Sequence, residues 1–193
     1  MEGFEPFPGG AAIRLGPTEA TLLRGLADQL VDLLATRGEH VEDPIAAIFE
    51  PGPSEPPADP VLARLFPDAY DGDADDAREH SAEFRRFTEN DLRTRKRNDA
   101  RALIADVDAL GPGGGVLSLD AEDCRHWLGA LNDLRLAVAV RLGILQEGDA
   151  EALYELPPDD DRVPTVIVYS WLNLLQDSLV ETMMPENPRE DDR

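Results

Sequence analysis

The residues best able to bind a metal or to react lie close together in one short stretch, which contains Glu122, Cys124 and His126. Glu122 and His126 are four residues apart, so a helix would place them on one face and could supply two metal ligands. The two other histidines, His40 and His80, lie in unrelated segments, and the sequence has no His-Glu-x-x-His motif. We therefore predict no metal site and no bound cofactor.

Cys124 is the only cysteine in the chain, which excludes an internal disulfide and every metal motif that needs several cysteines. Glu122 and Asp123 should raise the pKa of its thiol, whereas a place in the first turn of a helix and the nearby His126 should lower it. The favoured interpretation is an ordinary helix cysteine. Because the thiol could still oxidise to a sulfenic acid or pair with a second chain, Cys124 is the redox candidate.

Motifs for catalysis are missing from the sequence. No pair of carboxylates is singled out by its spacing among the 40 acidic residues, and there is no nucleophile elbow, dinucleotide-binding fingerprint or kinase motif. The glycine run that starts at Gly111 has no Lys-Ser or Lys-Thr pair, so it is typical of a flexible turn and not of a phosphate loop. We predict a protein that is not an enzyme and has no catalytic residue.

A cluster of basic residues stands out from an otherwise acidic chain. Seven of the 18 basic residues fall between positions 85 and 101: Arg85, Arg86, Arg93, Arg95, Lys96, Arg97 and Arg101. Such a cluster could contact nucleic acid or an acidic protein, but Glu89 with Arg93 and Asp91 with Arg95 have the spacing of helical ion pairs that neutralise part of it. The pattern favours a salt-bridged helix surface over a nucleic-acid site, and these seven residues are the candidate contacts for a protein partner.

Three polar residues interrupt the most apolar helix that the sequence predicts, namely Asn132, Asp133 and Arg135. Buried charges persist only when they are paired and hydrogen-bonded. Two interpretations follow: a polar pocket or partner site, or an ion network between helices with residues such as Glu83 or Arg86. We favour the second, a buried polar network that fixes the packing of the helices.

The charge balance limits the classes of partner. The chain carries 40 acidic and 18 basic residues, a formal net charge of −22, which repels phosphate backbones and anionic lipid headgroups. Direct binding to DNA or to a membrane is therefore not expected, and a basic protein partner fits better. The sequence has no apolar stretch of about 18 residues, and its start, Met-Glu-Gly-Phe-Glu-Pro, lacks the basic and apolar regions of a signal peptide. We therefore expect a cytoplasmic protein.

The first third of the chain predicts a β-hairpin and two helices. A hairpin at about residues 3–15 turns at Pro8-Gly9-Gly10, and a leucine stripe after Gly16 predicts a helix that stops near Arg37-Gly38. A surface excursion follows over residues 38–58. Asp59-Pro60 then predicts the start of a short helix.

The remainder predicts four further helices. Thr88 is a natural cap between helices at 77–87 and 89–110, Ser118 or Asp120 caps a central helix at 121–142, and Pro164 starts the last helix after an acidic loop at 147–161. The predicted fold is mainly α: residues 1–184 form one multi-helix bundle with a short N-terminal β-hairpin, and residues 185–193 form a frayed acidic tail.

Three phrases of the sequence resemble a known family. They are EFRRFTENDLR at 83–93, WLGALNDLRL at 127–136 followed by RLGI at 141–144, and VYSWL at 168–172 followed by QDSLV at 176–180. Together they resemble the AosR family of bacterial oxidative-stress transcriptional regulators, over nearly the whole chain. The resemblance implies a cytoplasmic regulator of sulfur and redox genes that acts with a sigma factor of RNA polymerase and takes thiol oxidation as a signal. A sensor that forms a disulfide within one chain needs two cysteines. This sequence has only Cys124, and the residue one helical turn later is Leu128.

Three hypotheses for the function follow. The first is a non-enzymatic regulator that binds a sigma factor or RNA polymerase through the basic cluster or the acidic surface. The second is a small-molecule- or metal-binding helical enzyme built around the polar residues of the central helix. The third is a homodimeric scaffold module, which an open apolar face on the last two helices would favour.

Overall fold

The structure, a computed structural model, describes residues 2–35, 52–70, 75–146 and 148–184. These residues form six helices and three strands: β1 (Glu5–Phe7), β2 (Gly10–Leu15), α1 (Pro17–Leu34), α2 (Pro60–Leu65), α3 (Asp75–Ala109), β3 (Gly115–Asp120), α4 (Ala121–Leu142), α5 (Asp149–Tyr154) and α6 (Val163–Met183). This confirms the mainly α fold with an N-terminal hairpin. The predicted stop at Arg37-Gly38, most of the surface excursion and the tail lie outside the described residues.

The three strands form one antiparallel sheet in the order β1-β2-β3. The predicted hairpin is present, and Gly9 turns it with a φ of +87°, a backbone conformation that glycine adopts without strain. The third strand was not predicted. Gly111 and Gly114 make the expected turn, but Gly115 already belongs to β3, whose Leu117 and Leu119 point into the core.

The helices begin where the sequence predicts for α1, α2 and α4. Pro17 occupies the first turn of α1, and the Glu19 carboxylate accepts a hydrogen bond from the Gly16 backbone N–H at 2.8 Å. Asp59 caps α2, because its carboxylate accepts hydrogen bonds from the backbone N–H groups of Val61 and Leu62. Asp120, one of the two predicted caps, does the same for α4 at Glu122 and Asp123.

The prediction of two helices separated at Thr88 is wrong, because α3 runs without a break for 35 residues. Its sequence contains no glycine or proline that would end a helix. The Thr88 hydroxyl donates a hydrogen bond to the Phe84 carbonyl at 2.8 Å, four residues back, as threonines inside helices often do. Thr88 therefore bonds within the helix instead of capping a new one.

The core is centred on α4, which packs against α2, α3 and α6, while α1 packs against α3. Trp127 of α4 is fully buried, its ring meets Phe4 edge to face at 5.7 Å, and its indole N–H donates to Asp106 of α3 at 2.8 Å. The acidic loop predicted after α4 contains one short helix, α5, which buries Leu153. None of the helices in the described ranges is long and apolar enough to cross a membrane.

Candidate partner-binding surface

Two of the seven clustered basic residues, the buried Arg85 and the half-buried Arg93, form ion pairs within the fold. Arg85 is 5% exposed and its guanidinium donates to the Glu89 carboxylate at 2.6 Å, to Asp68 at 2.8 Å and to the Phe66 carbonyl at 3.1 Å. Arg93 pairs with the other oxygen of Glu89 at 2.7 Å, as its spacing predicts, and lies over the Phe66 ring. These contacts remove Arg85 and Arg93 from the candidate contact surface, because they attach the end of α2 to α3.

A third basic residue, Lys96, forms the ion pair that Asp133 requires. The Lys96 ammonium lies 2.6 Å from the Asp133 carboxylate, and the two side chains are 14% and 2% exposed. Burial raises the pKa of Asp133, and Lys96 acts in the opposite direction. This ion pair joins α3 to α4, and its cation is Lys96 and not Arg86.

The other two members of the predicted polar network are only partly buried. Asn132 and Arg135 are half-buried, and the Arg135 guanidinium donates to the Asn132 side-chain oxygen at 3.2 Å. This hydrogen bond joins two residues of the same helix, α4. Of the three predicted members, Asp133 alone is a buried charge held by another helix, so its environment is that of a structural ion pair.

The remaining basic residues lie towards solvent on α3. Arg86, Arg95 and Arg101 are exposed and Arg97 is half-buried. They share this surface with two aromatic residues, Phe84 and Phe87, and Phe87 is 75% exposed. We refer to the exposed residues between 84 and 101 as the outer side of α3: Phe84, Arg86, Phe87, Asn90, Asp91, Leu92, Thr94, Arg95, Asn98 and Arg101.

The outer side of α3 is locally basic although the chain is strongly acidic. Between residues 84 and 101 of this fully described stretch, Glu89 and Asp99 are buried and Asp91 is the acid that reaches solvent. The surface therefore has more cations than anions, and it exposes two phenylalanines that a helix of an isolated protein would normally bury. Exposed aromatic residues beside arginines are the composition found at the centre of protein interfaces.

A polar cleft of about 400 Å³ lies where α3 meets the first turns of α4. Its lining residues are Asp91, Thr94, Arg95, Asn98, Asp99, Glu122, Arg125 and His126. The Nδ1 atom of His126 lies 2.7 Å from the Asp99 carboxylate, which fixes the imidazole ring. Glu122 and His126 thus do share a helix face, but within the described residues no group of three or more His, Cys, Asp and Glu side chains could hold a metal ion.

The redox candidate Cys124 is fully buried under β3. Its Sγ atom lies 4.0 Å from the Leu119 carbonyl oxygen. Burial raises the pKa of the thiol, and the charges of Asp123 and Asp120 raise it further. Since the thiolate is the reactive form, this environment suits a structural cysteine better than a sensor that meets oxidants in solvent.

Residues 1–183 match a family model described as a domain of unknown function, DUF2017. The chain belongs to this family. Two relatives called oxidative stress regulator AosR, from Mycobacterium tuberculosis H37Rv and Mycobacterium bovis, are each 35% identical over 182 residues, which cover 88% of this chain and 80% of the relative. A relative from Mycobacterium leprae is 32% identical over 182 residues, which cover 88% of this chain and 81% of the relative. No solved structure matches the chain.

The comparisons confirm the family resemblance found in the sequence, and the names of the relatives support a regulatory role in oxidative stress. Sequence reasoning about this DUF2017 member missed Asp99 and Asp106, which α3 presents to His126 and Trp127 of α4. Both acids lie within the stretch 89–110 that the sequence predicts as one helix. Their seven-residue spacing, which places them on one side of α3, was the available signal.

Proposed function

We propose that this protein is a non-enzymatic cytoplasmic regulator of the oxidative-stress response that acts by binding a protein of the transcription machinery, a sigma factor or RNA polymerase. The names of its relatives support the regulatory role. One observation supports protein contact as the mechanism: α3 exposes Phe84, Phe87 and Arg95 along one side, on a chain of net charge −22. An acidic chain of this kind can influence transcription without contacting DNA.

The outer side of α3 is our candidate for the contact because it combines apolar area with charge. Phe84 and Phe87 are large side chains, one helical turn apart, that a partner could bury, and the exposed Arg95 lies about two turns after Phe87 on the same side of α3. Arginine and aromatic side chains carry most of the binding energy in many interfaces. Arg85, Arg93 and Lys96 support this surface from beneath, through the ion pairs that hold α3 to α2 and α4.

The dimeric scaffold has weaker support from the described residues. Ile167 and Leu174 are exposed on one side of α6, seven residues apart. Asp177 and Glu181 continue the same side towards the end of the helix, so the apolar face is short. Two chains that each carry a net charge of −22 would also repel one another.

The test uses biolayer interferometry to measure binding of the full chain to purified sigma factors and core RNA polymerase from the same organism. We expect Phe87→Ala combined with Arg95→Glu to weaken binding roughly tenfold or more, since both changes remove side chains of the types that dominate interface energies. Arg141→Glu, an exposed arginine at the end of α4, is the matched control and should bind like the unchanged chain. Absence of binding to every sigma factor and to the polymerase would refute the proposal.

A further inference from the structure

The two edges of the small sheet differ in how well they are protected. β1 has three residues, and these include Pro6, which cannot donate a hydrogen bond, and the charged Glu5. β3 has six residues, GVLSLD, with no proline, and its one charged residue, Asp120, is the last. Natural proteins usually protect edge strands with proline or charged residues or keep them short, because an open edge pairs with other chains. The first five residues of β3 lack these protections.

The register shows which backbone groups of β3 face away from the sheet. Phe7 pairs with Gly10 across the two-residue turn, so these two residues exchange backbone hydrogen bonds. Bonded and non-bonded pairs alternate along antiparallel strands, so the next pair, Pro6 with Ala11, is not hydrogen-bonded. Ala11 must therefore direct its N–H and C=O towards β3, where it pairs with Leu119. Leu117 and Leu119 are thus bonded to β2.

Val116 and Ser118 consequently direct their backbone N–H and C=O groups towards the open edge. Val116 is 52% exposed and Ser118 is also exposed. No loop or turn of the described chain supplies a backbone hydrogen bond to either residue. The edge ends at Asp120, whose N–H donates to the Asp123 carboxylate at 3.2 Å. Four backbone groups in register are what an added strand requires.

The surroundings of this edge determine which strand could pair there. Leu117 and Leu119 point into the core, so inward residues of an added strand would have apolar neighbours. Asp120, Glu122 and Asp123 lie at its far end, at the start of α4. These acids would attract a basic segment, whereas a second copy of this chain carries the same net charge of −22 and would be repelled as a whole.

We propose that β3 is a strand-addition site, and that its occupant is an extended segment of a partner protein in which apolar and basic residues alternate. The segment would hydrogen-bond to Val116 and Ser118 as a fourth strand. Its apolar side chains would lie beside Leu117 and Leu119, and its basic side chains would lie near Asp120 and Glu122. This site is separate from the outer side of α3 and does not depend on the function proposed above.

The test is residue-resolved amide hydrogen exchange by NMR on the full chain. In dilute protein the amides of Val116 and Ser118 should exchange roughly tenfold or more faster than those of Leu117 and Leu119, which are bonded to β2. The probes are two capped hexapeptides, one of alternating lysine and valine and one of alternating glutamate and valine. The lysine peptide should slow exchange at Val116 and Ser118, and the glutamate peptide should not.

Two variants at one position separate strand pairing from adventitious binding. Ser118→Pro removes an outward N–H that β2 does not use, so the variant should keep the slow amides of α4 and lose the effect of the lysine peptide. Ser118→Thr keeps the N–H and should respond like the unchanged chain. If Ser118→Pro does not fold, Glu122→Lys serves instead, and it should weaken binding of the lysine peptide.

Three results would overturn the inference. The first is slow exchange at Val116 and Ser118 in the free, dilute chain, which would mean that the edge is already covered. The second is protection that grows with protein concentration alone, which would identify a second copy as the occupant. The third is that the lysine peptide protects Val116 and Ser118 no more than the glutamate peptide does, which would remove the evidence that the segment is basic. None of these results bears on binding through α3.

Discussion

Asp133 shows at the scale of one residue how this fold keeps a charge in its core. The carboxylate is 2% exposed, and burial raises its pKa, so its ionised state depends on the Lys96 ammonium at 2.6 Å. Removing one member of a buried pair leaves the other as an uncompensated charge. We expect Lys96→Met to lower the free energy of unfolding by about 3 kcal/mol at pH 7, measured by urea denaturation.

The pH dependence of this loss has a defined sign. Without Lys96 the folded-state pKa of Asp133 rises further above its unfolded value, so the variant loses stability as the pH rises through that pKa and regains it in acid. The deficit of Lys96→Met should therefore shrink below the folded-state pKa of Asp133. The neighbouring exposed change Arg95→Met is the control, with an effect within about 0.5 kcal/mol. A deficit that is constant from pH 7 to pH 4 would contradict an unpaired Asp133.

Cys124 allows a second prediction at this scale. Because the thiol is fully buried and burial raises its pKa, iodoacetamide at neutral pH should label the folded chain far more slowly than the chain in urea, as mass spectrometry would show. The control is Cys124→Ala with Thr94→Cys, which places the single thiol on the exposed side of α3. Labelling of native Cys124 as fast as that of the control would restore a direct redox role for this residue.

At the scale of elements, two helical glycines allow a matched comparison. A Cβ at Gly25 in α1 would meet no atom within 4 Å, whereas a Cβ at Gly129 in α4 would lie 2.5 Å from the Asp99 carboxylate. Alanine normally stabilises a helix interior relative to glycine by about 0.5–1 kcal/mol. We expect Gly25→Ala to gain about that amount in thermal or urea unfolding.

Gly129→Ala should not show this gain. The new methyl group would displace the Asp99 carboxylate from His126, and disturbing a buried, hydrogen-bonded carboxylate costs about 1–3 kcal/mol. The net change should therefore be destabilising. Equal gains at both positions would mean that α3 moves away from α4 without cost and that the contact of Asp99 with Gly129 is not tight.

The helices and strands also show how much of the fold could be predicted from the sequence. The bounds of α4 were predictable because its signals are local: Asp120 caps its start, and Gly143 ends it with a φ of +79°. β3 was missed because a six-residue strand depends on pairing with β2, about 100 residues earlier in the chain, and nothing within β3 itself records that partner. The same reason separates two kinds of site residue. The sequence indicated that Asp133 needs a cation, but only the packing of α3 on α4 identifies Lys96.

At the scale of the whole molecule, the net charge of −22 should govern the response to salt. Glu89, Asp99 and Asp133 are the acidic residues that the described chain buries, so the repulsion arises mainly among surface carboxylates. The Debye length falls from about 30 Å at 0.01 M salt to about 8 Å at 0.15 M, and repulsion over these distances is screened. We expect the Tm to rise between these two concentrations of NaCl.

Salt also weakens exposed ion pairs, and this effect has the opposite sign. Arg24 with Asp108 and Arg162 with Asp160 are pairs of this kind, and exposed ion pairs contribute little to stability. The buried pair of Lys96 with Asp133 is screened much less. Repulsion among many surface acids should therefore outweigh the loss of a few exposed pairs. Potassium chloride at equal ionic strength should give the same curve, and a Tm that falls over this range would mean that ion pairs, and not repulsion, dominate the electrostatic free energy of the fold.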